Sequence, residues 1–202
     1  MRKFDQSTLL VATHNQGKLE EIEHLLQPYG IEIVGAAAMG LNEPEETEMT
    51  FVGNARIKAH AAAQAANMPA LSDDSGLEID ALGGAPGVYT ADWAETGNGR
   101  DFQMAMRKTY DRLLATKIKT PWKARFCCTL VIAWPDGDDV FFEGNVNGQI
   151  VWPMRGDQGH GYDPIFVPNG YDESFGEMDR WEKNKISHRA RALAKLTEQC
   201  FD

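Results

Sequence analysis

The chain has 202 residues, enough for one sizeable hydrophobic core, and its 43% apolar and 25% charged content is that of a globular protein. A formal net charge of −10 argues against a protein that holds nucleic acid by neutralising many phosphates, and no run of 18 apolar residues is present to span a membrane. Three cysteines without CxxC spacing argue against a zinc site or a disulfide framework, so Cys127, Cys128 and Cys200 read as buried free thiols.

The opening residues carry charge but lead into an apolar stretch of only five or six residues, too short for a signal peptide, so a cytoplasmic protein is expected. Residues 7–13 then read as a buried strand. Asn15 caps a helix expected over residues 16–27, with Leu19, Ile22 and Leu26 at helical spacing and Pro28 after it. The segment Thr13-His14-Asn15-Gln16-Gly17-Lys18 thus lies where a strand hands over to a helix, and the exposed N–H groups and positive helix end there suit a phosphate. Lys18 in the first helical turn is disfavoured by about 0.3–1 kcal/mol unless an anion docks beside it. Glu20 and Glu21 offset that cost without a ligand, so both readings stand.

Residues 31–34 predict a second strand, and residues 36–49 a loop in which Glu43, Glu45, Glu46 and Glu48 crowd together. Thr50 opens an Ala-rich helix to residue 66, where Asn54 and Lys58 share a face and Ala55, Ala59 and Ala62 allow close approach of a neighbour. One or two short strands are expected over residues 69–80, around Ser72-Asp73-Asp74-Ser75-Gly76. Adjacent residues of a strand point to opposite sides, so one carboxylate of the pair faces a site and the other hydrogen-bonds locally. Turn chemistry alone also explains an Asp-Asp-Ser-Gly run.

Residues 101–115 predict a helix, and residues 123–134 and 140–146 a hairpin, with residues 149–152 extending that sheet. Gly159-His160-Gly161-Tyr162-Asp163-Pro164 sets an aromatic ring, an imidazole and a carboxylate on a loop whose glycines permit a planar ligand to approach. A last strand is expected over residues 165–167 and one closing helix over residues 183–200. In that helix Ile186, Ala190, Leu193 and Thr197 form an inward stripe, with Lys185, His188 and Arg189 on a cationic face beside it. Alternating strands and helices followed by clustered strands imply a mixed α/β sheet. Carboxylates to hold Mg²⁺ and orient water, set against cations to neutralise phosphate, are what hydrolysis of a Mg-bound nucleotide needs.

Six segments, in order, resemble the inosine triphosphate pyrophosphatase family. They are T-H-N-Q-G-K against the family's T-G-N-x-x-K; residues 45–59 against E-E-T-x-x-T-F-x-x-N-A-x-x-K-A; D-D-S-G-L from Asp73; L-G-G-A-P-G-V-Y from Leu82; G-Y-D-P-I-F from Gly161; and E-K-N-x-I-S-H-R from Glu182.

The resemblance implies one α/β domain over residues 1–202, with a long mixed twisted sheet, flanking helices and two lobes around a central cleft, assembled as a homodimer. It implies Mg²⁺-dependent cleavage of ITP, dITP or XTP to the monophosphate and pyrophosphate, with no nucleic-acid or membrane partner. By position, Thr13 to Lys18, Asn54 and Lys58 bind the triphosphate. Glu46, with Glu45 and Asp73 as further candidates, holds Mg²⁺ together with Asp74, which also acts as general base. Ser75, His160, Gly161, Tyr162, Asp163, Lys185, His188 and Arg189 contact the nucleotide. Two residues depart from the pattern: His14 stands for Gly, and His160 for the Phe expected to stack on the base. The alternatives are a Maf-like pyrophosphatase of other modified nucleotides and a nucleotide-binding protein without turnover.

Overall fold

The computed structural model describes residues 2–201. The elements run β1 (Thr8–Val11), α1 (Gln16–Leu26), β2 (Glu32–Gly35), α2 (Phe51–Ala66), β3 (Ala70–Ile79), β4 (Pro86–Gly87), β5 (Glu95–Thr96), β6 (Gly99–Arg100), α3 (Phe102–Thr116), β7 (Trp122–Ala133), β8 (Asp139–Ile150), β9 (Phe166–Pro168), α4 (Arg180–Ile186) and α5 (His188–Cys200). Strands β2-β1-β3-β7-β8-β9 follow one another in a single sheet, with β4 paired to β3. It is mixed, as alternation followed by clustered strands predicts: β1 runs parallel to β2 and β3, whereas β8 and β9 are antiparallel.

Two compact units divide the chain. The first holds the residues up to Asp74, Cys128–Gly144 and those from Arg189 on; the second holds Ser75–Cys127 and Asn145–His188. The first is a three-layer sandwich, and the two-residue period of its strands decides which layer each side chain joins. Leu9, Val11, Leu71, Cys128, Leu130 and Ile132 face one way and pack on Ile22 and Leu26 of α1 and on Ala192, Leu193 and Leu196 of α5. Leu10, Ala12, Ala70, Val131 and Ala133 face the other way, onto Ala55, Ala59, Ala62 and Ala63 of α2. With only methyl groups between them, α2 and β3 approach until Ser72 Oγ donates to the Ala55 carbonyl at 2.5 Å. The second unit closes around Leu77, Ile79, Trp122, Phe126, Phe166 and Phe175, all buried.

Helix starts fall where the caps place them. Asn15 Oδ1 accepts from Lys18 N, Thr50 Oγ1 from Gly53 N, and Asp101 Oδ1 from Met104 N. Four expectations need correction. Residues 70–79 form one continuous ten-residue strand rather than one or two short ones, because pairing on both flanks overrides the turn character of Asp-Asp-Ser-Gly. Residues 149 and 150 belong to β8 itself, a twelve-residue strand, and not to an added one. The short strands β4, β5 and β6 lie where no regular structure was expected. The single closing helix is two helices, parted at Ser187, whose ψ of 158° is extended. Ile186 consequently packs in the second unit's core while Leu193 packs in the first's, so the expected inward stripe does not exist.

Candidate active site

The first unit holds the adjacent carboxylates Asp73 and Asp74, and the alternation of β3 sorts them. Asp73 points to the same face as Leu71, toward α1 and α5; Asp74 points with Ser72 toward α2.

On the α1/α5 face, Asp73 is closed off from solvent and bound by two cations. Arg189 Nε lies 2.9 Å from its Oδ2, and the Lys18 ammonium pairs with its Oδ1. Cys128 Sγ donates to Oδ2 at 3.0 Å. Arg189 also reaches Glu21 Oε2 with its terminal nitrogen at 2.5 Å. Burial alone raises a carboxyl pKa, yet Arg189 first and Lys18 second outweigh it, holding Asp73 well below the usual range. The same carboxylates overcome burial at Arg189 and raise its pKa further. Burial and the neighbouring Asp73 push the Cys128 thiol well up, so it is an inert donor. Asp73 is therefore a fixed anion.

On the α2 face the balance differs. Asp74 is 5% exposed, and its nearest cation, Lys58 Nζ, stands 3.6 Å away. Lys58 is shared, since its ammonium also pairs with the Glu46 carboxylate. Burial is the largest influence on Asp74; Lys58 opposes it only in part, and Glu46 adds like charge, so the pKa rises from the ordinary 3.8 to about 6. Lys58 itself is held above its ordinary range, because Asp74 and Glu46 outweigh its burial. A carboxylate poised near neutrality beside a second one is a proton acceptor in waiting.

The other residues expected in the first unit are placed as follows. Thr13 is buried and its Oγ1 accepts from Asn15 N at 3.2 Å. Gln16 is exposed and reaches Glu20, and Gly17 follows it half-buried in the first turn of α1. His14 turns toward Leu41 and Glu43. Asn54 is buried, and its carbonyl oxygen accepts from Glu48 N at 2.9 Å, anchoring the acidic loop. Glu45 is exposed.

In the second unit, Asp163 and Tyr162 are framework. Asp163 Oδ2 accepts from His160 N at 2.6 Å and pairs with Lys183 Nζ at 2.5 Å, both partners being almost wholly buried. Tyr162 is 1% exposed, donates to the Thr90 carbonyl at 3.1 Å and meets Phe102 edge-on. Gly159 has φ +78°, and a Cβ there would strike the Asp163 carboxylate, so the loop requires glycine. His160 and Lys185 are exposed, Lys185 pairing with Glu182, while Ser75 is half-buried. His188 is buried and stacks on Phe126 at 5.0 Å and 14°. The break at Ser187 thus dissolves the shared face expected of Lys185, His188 and Arg189.

Sequence reading missed the roles of Glu21, Cys128 and Lys183. Lys183 was hidden among six cations of the closing segment, of which only it and Arg189 are buried. Lys183→Met, which leaves the Asp163 carboxylate buried without its cation, is expected to cost about 3–5 kcal/mol in urea unfolding.

A sequence profile of the Ham1 family matches residues 9–199. A dITP/XTP pyrophosphatase of Ruegeria pomeroyi is 69% identical over 200 residues, covering 99% of this chain and 98% of that protein. One of Agrobacterium fabrum is 53% identical, with each chain covered in full. Among solved structures, a HAM1 protein from Coxiella burnetii superposes with a TM-score of 0.88 at 34% identity, over 96% of this chain and 98% of that one. A dITP/XTP pyrophosphatase from Mycobacterium abscessus does so with a TM-score of 0.75 at 36% identity, over 94% and 98%.

Proposed function

The chain belongs to the Ham1 family, and from that premise we propose that it hydrolyses the noncanonical purine nucleoside triphosphates dITP, XTP and ITP to the monophosphate and pyrophosphate. The observation that carries the reading is the Glu46–Lys58–Asp74 group, in which a buried carboxylate with a pKa near 6 stands beside a second carboxylate.

We assign the divalent metal to Glu46 and Asp74. Among the described residues no three His, Cys, Asp or Glu side chains form a ready-made metal cage. Two hard carboxylates that meet at one point, neutralised there by a lysine, nevertheless fit Mg²⁺, which takes one or two protein carboxylates and fills its other positions with water and phosphate. Asp73, held by Arg189 and Lys18, and Glu45, exposed, are left out of that assignment. When bound, the ion supplies charge neutralisation for the polyphosphate and acidifies a coordinated water.

The chain's own residues do the rest. Asp74 accepts the proton of the attacking water at its carboxylate, and burial keeps competing solvent from that oxygen. Lys58 and Lys18 present ammonium groups to the triphosphate, and the positive end of α1, opened by Asn15, lies beside Lys18. Asp73 and Arg189 are positioning residues that fix β3 against α5, so that the next residue along is aimed at α2.

For the base, the family resemblance supports donors that hydrogen-bond to a purine 6-oxo group; adenine's amino group, itself a donor, would leave them unpaired, a mismatch costing about 1–3 kcal/mol. Ser75, His160, Lys185 and His188 stay assigned to the nucleotide, with His188 as a donor to the base. Tyr162 and Asp163, with Gly161, shape the loop. No helix among the described residues is long and apolar enough to cross a membrane. A cytoplasmic homodimer completes the proposal.

Pyrophosphate release from dITP, XTP, ITP, GTP and ATP, with Mg²⁺ and with EDTA, tests the reading. Release confined to dITP, XTP and ITP and abolished by EDTA is expected. Release from none of the five sinks the assignment and leaves a binding protein without turnover.

A further inference from the structure

His14 is a departure from the family pattern, and its ring has found a partner of its own. Nε2 lies 2.8 Å from the Leu41 carbonyl. A carbonyl only accepts, so the ring carries its proton on Nε2. Nδ1 stands 3.8 Å from the Glu43 carboxylate.

The partner segment is the irregular stretch between β2 and α2, which carries Glu46. Leu41 N donates back to the Ala36 carbonyl at 3.1 Å, Ala36 N donates to the Val11 carbonyl of β1 at 3.0 Å, and the half-buried Leu41 side chain packs on the core under α2, so the stretch is anchored up to Leu41. At the far end, Glu48 N is held by Asn54, and Glu46 pairs with Lys58. Residues 42–45 therefore run between Leu41, whose carbonyl His14 holds in addition to its own packing, and Glu46, which Lys58 holds. Three of those four residues are exposed, so little apolar burial helps to hold them.

We propose that His14 is a positioning residue: by holding the Leu41 carbonyl it fixes the acidic stretch and presents the Glu46 carboxylate beside Lys58 and Asp74. The resemblance counts His14 among the residues that bind the triphosphate; its ring is instead turned onto the loop, and we take it out of that set. The inference rests on the assignment of Glu46 to the metal.

The test compares the unmodified protein with His14→Ala and His14→Gln. One measurement is deuterium uptake of the peptide covering residues 36–50 in metal-free protein; the other is the Mg²⁺ concentration for half-maximal pyrophosphate release. In His14→Ala, faster uptake and a half-maximal Mg²⁺ concentration raised about fivefold are expected, the size of one lost hydrogen bond. KM for the nucleotide at saturating Mg²⁺ should stay as it was. His14→Gln, whose amide also donates, should restore both. Unchanged uptake in His14→Ala overturns the tether. Faster uptake with an unchanged Mg²⁺ requirement overturns the positioning role, as does an effect confined to KM. Should the unmodified protein release no pyrophosphate, the proposed function falls, while uptake alone still decides whether His14 holds the stretch.

Discussion

Asp74→Asn should lower pyrophosphate release by about 10²–10⁴-fold, the usual worth of a positioned base, while leaving nucleotide binding intact. Asparagine keeps the shape and one acceptor oxygen but cannot take a proton. Stability should move the opposite way. In metal-free protein the folded state raises the Asp74 pKa from 3.8 to about 6, so between those values it keeps a proton that the unfolded chain has released. This contribution to stability is fully present below about pH 4 and is lost as pH rises through 6. Asparagine has no charge to desolvate, so the variant should be more resistant to urea than the parent at pH 8 in EDTA, with the difference vanishing near pH 4. A divalent ion beside the carboxylate favours its charged form, so the acidic limb of the rate should lie below 6. A variant that turns over normally removes Asp74 from the mechanism.

Arg189→Met should cost about 3–5 kcal/mol of unfolding free energy, because it takes one of two cations from Asp73 and the guanidinium from Glu21 at once. The Asp73 side chain is 0% exposed and that of Glu21 12%, so neither finds much water to replace the guanidinium. Adding Glu21→Gln to Arg189→Met should recover part of the loss, since it removes one of the stranded charges. Additive losses in urea titrations of the two single variants and the double variant would show that Glu21 and Arg189 do not act as a pair.

How far the sequence foretold these outcomes depends on the reach of each signal. The caps at Asn15 and Thr50 are local, three residues from donor to acceptor, and both helices begin where they were expected. The carboxylate pair was visible for the same reason, as was its division between two faces of a strand. Which carboxylate faces which way was not. That choice is made by Arg189, 116 residues from Asp73, and Glu21, 168 residues from Arg189, separations over which no pattern in the chain reports. The break at Ser187 was hidden for a different reason. No Gly or Pro marks it, and helical periodicity continues across it, yet Ile186 and Leu193 are claimed by different cores. Tertiary packing overrode a helix that propensity alone would have continued. Lys58 was read as sharing a face with Asn54 and as a triphosphate ligand, and its burial between Glu46 and Asp74 could not be read from spacing.

The placement of Asp73 and Asp74 on successive positions of β3 has a consequence for how the chain can change over time. Substitutions on the exposed faces of α1 or α5 alter one side chain each. Inserting or deleting a single residue in β3 ahead of Asp73 would reverse every side chain after it, handing the buried Arg189 pocket to one neighbour and the α2 face to another. Both the anchor and the proposed proton acceptor would be lost in one event, with the composition almost untouched. Length, more than residue identity, is what this strand cannot alter, and gapped variants should be far rarer here than in the loop that precedes α2.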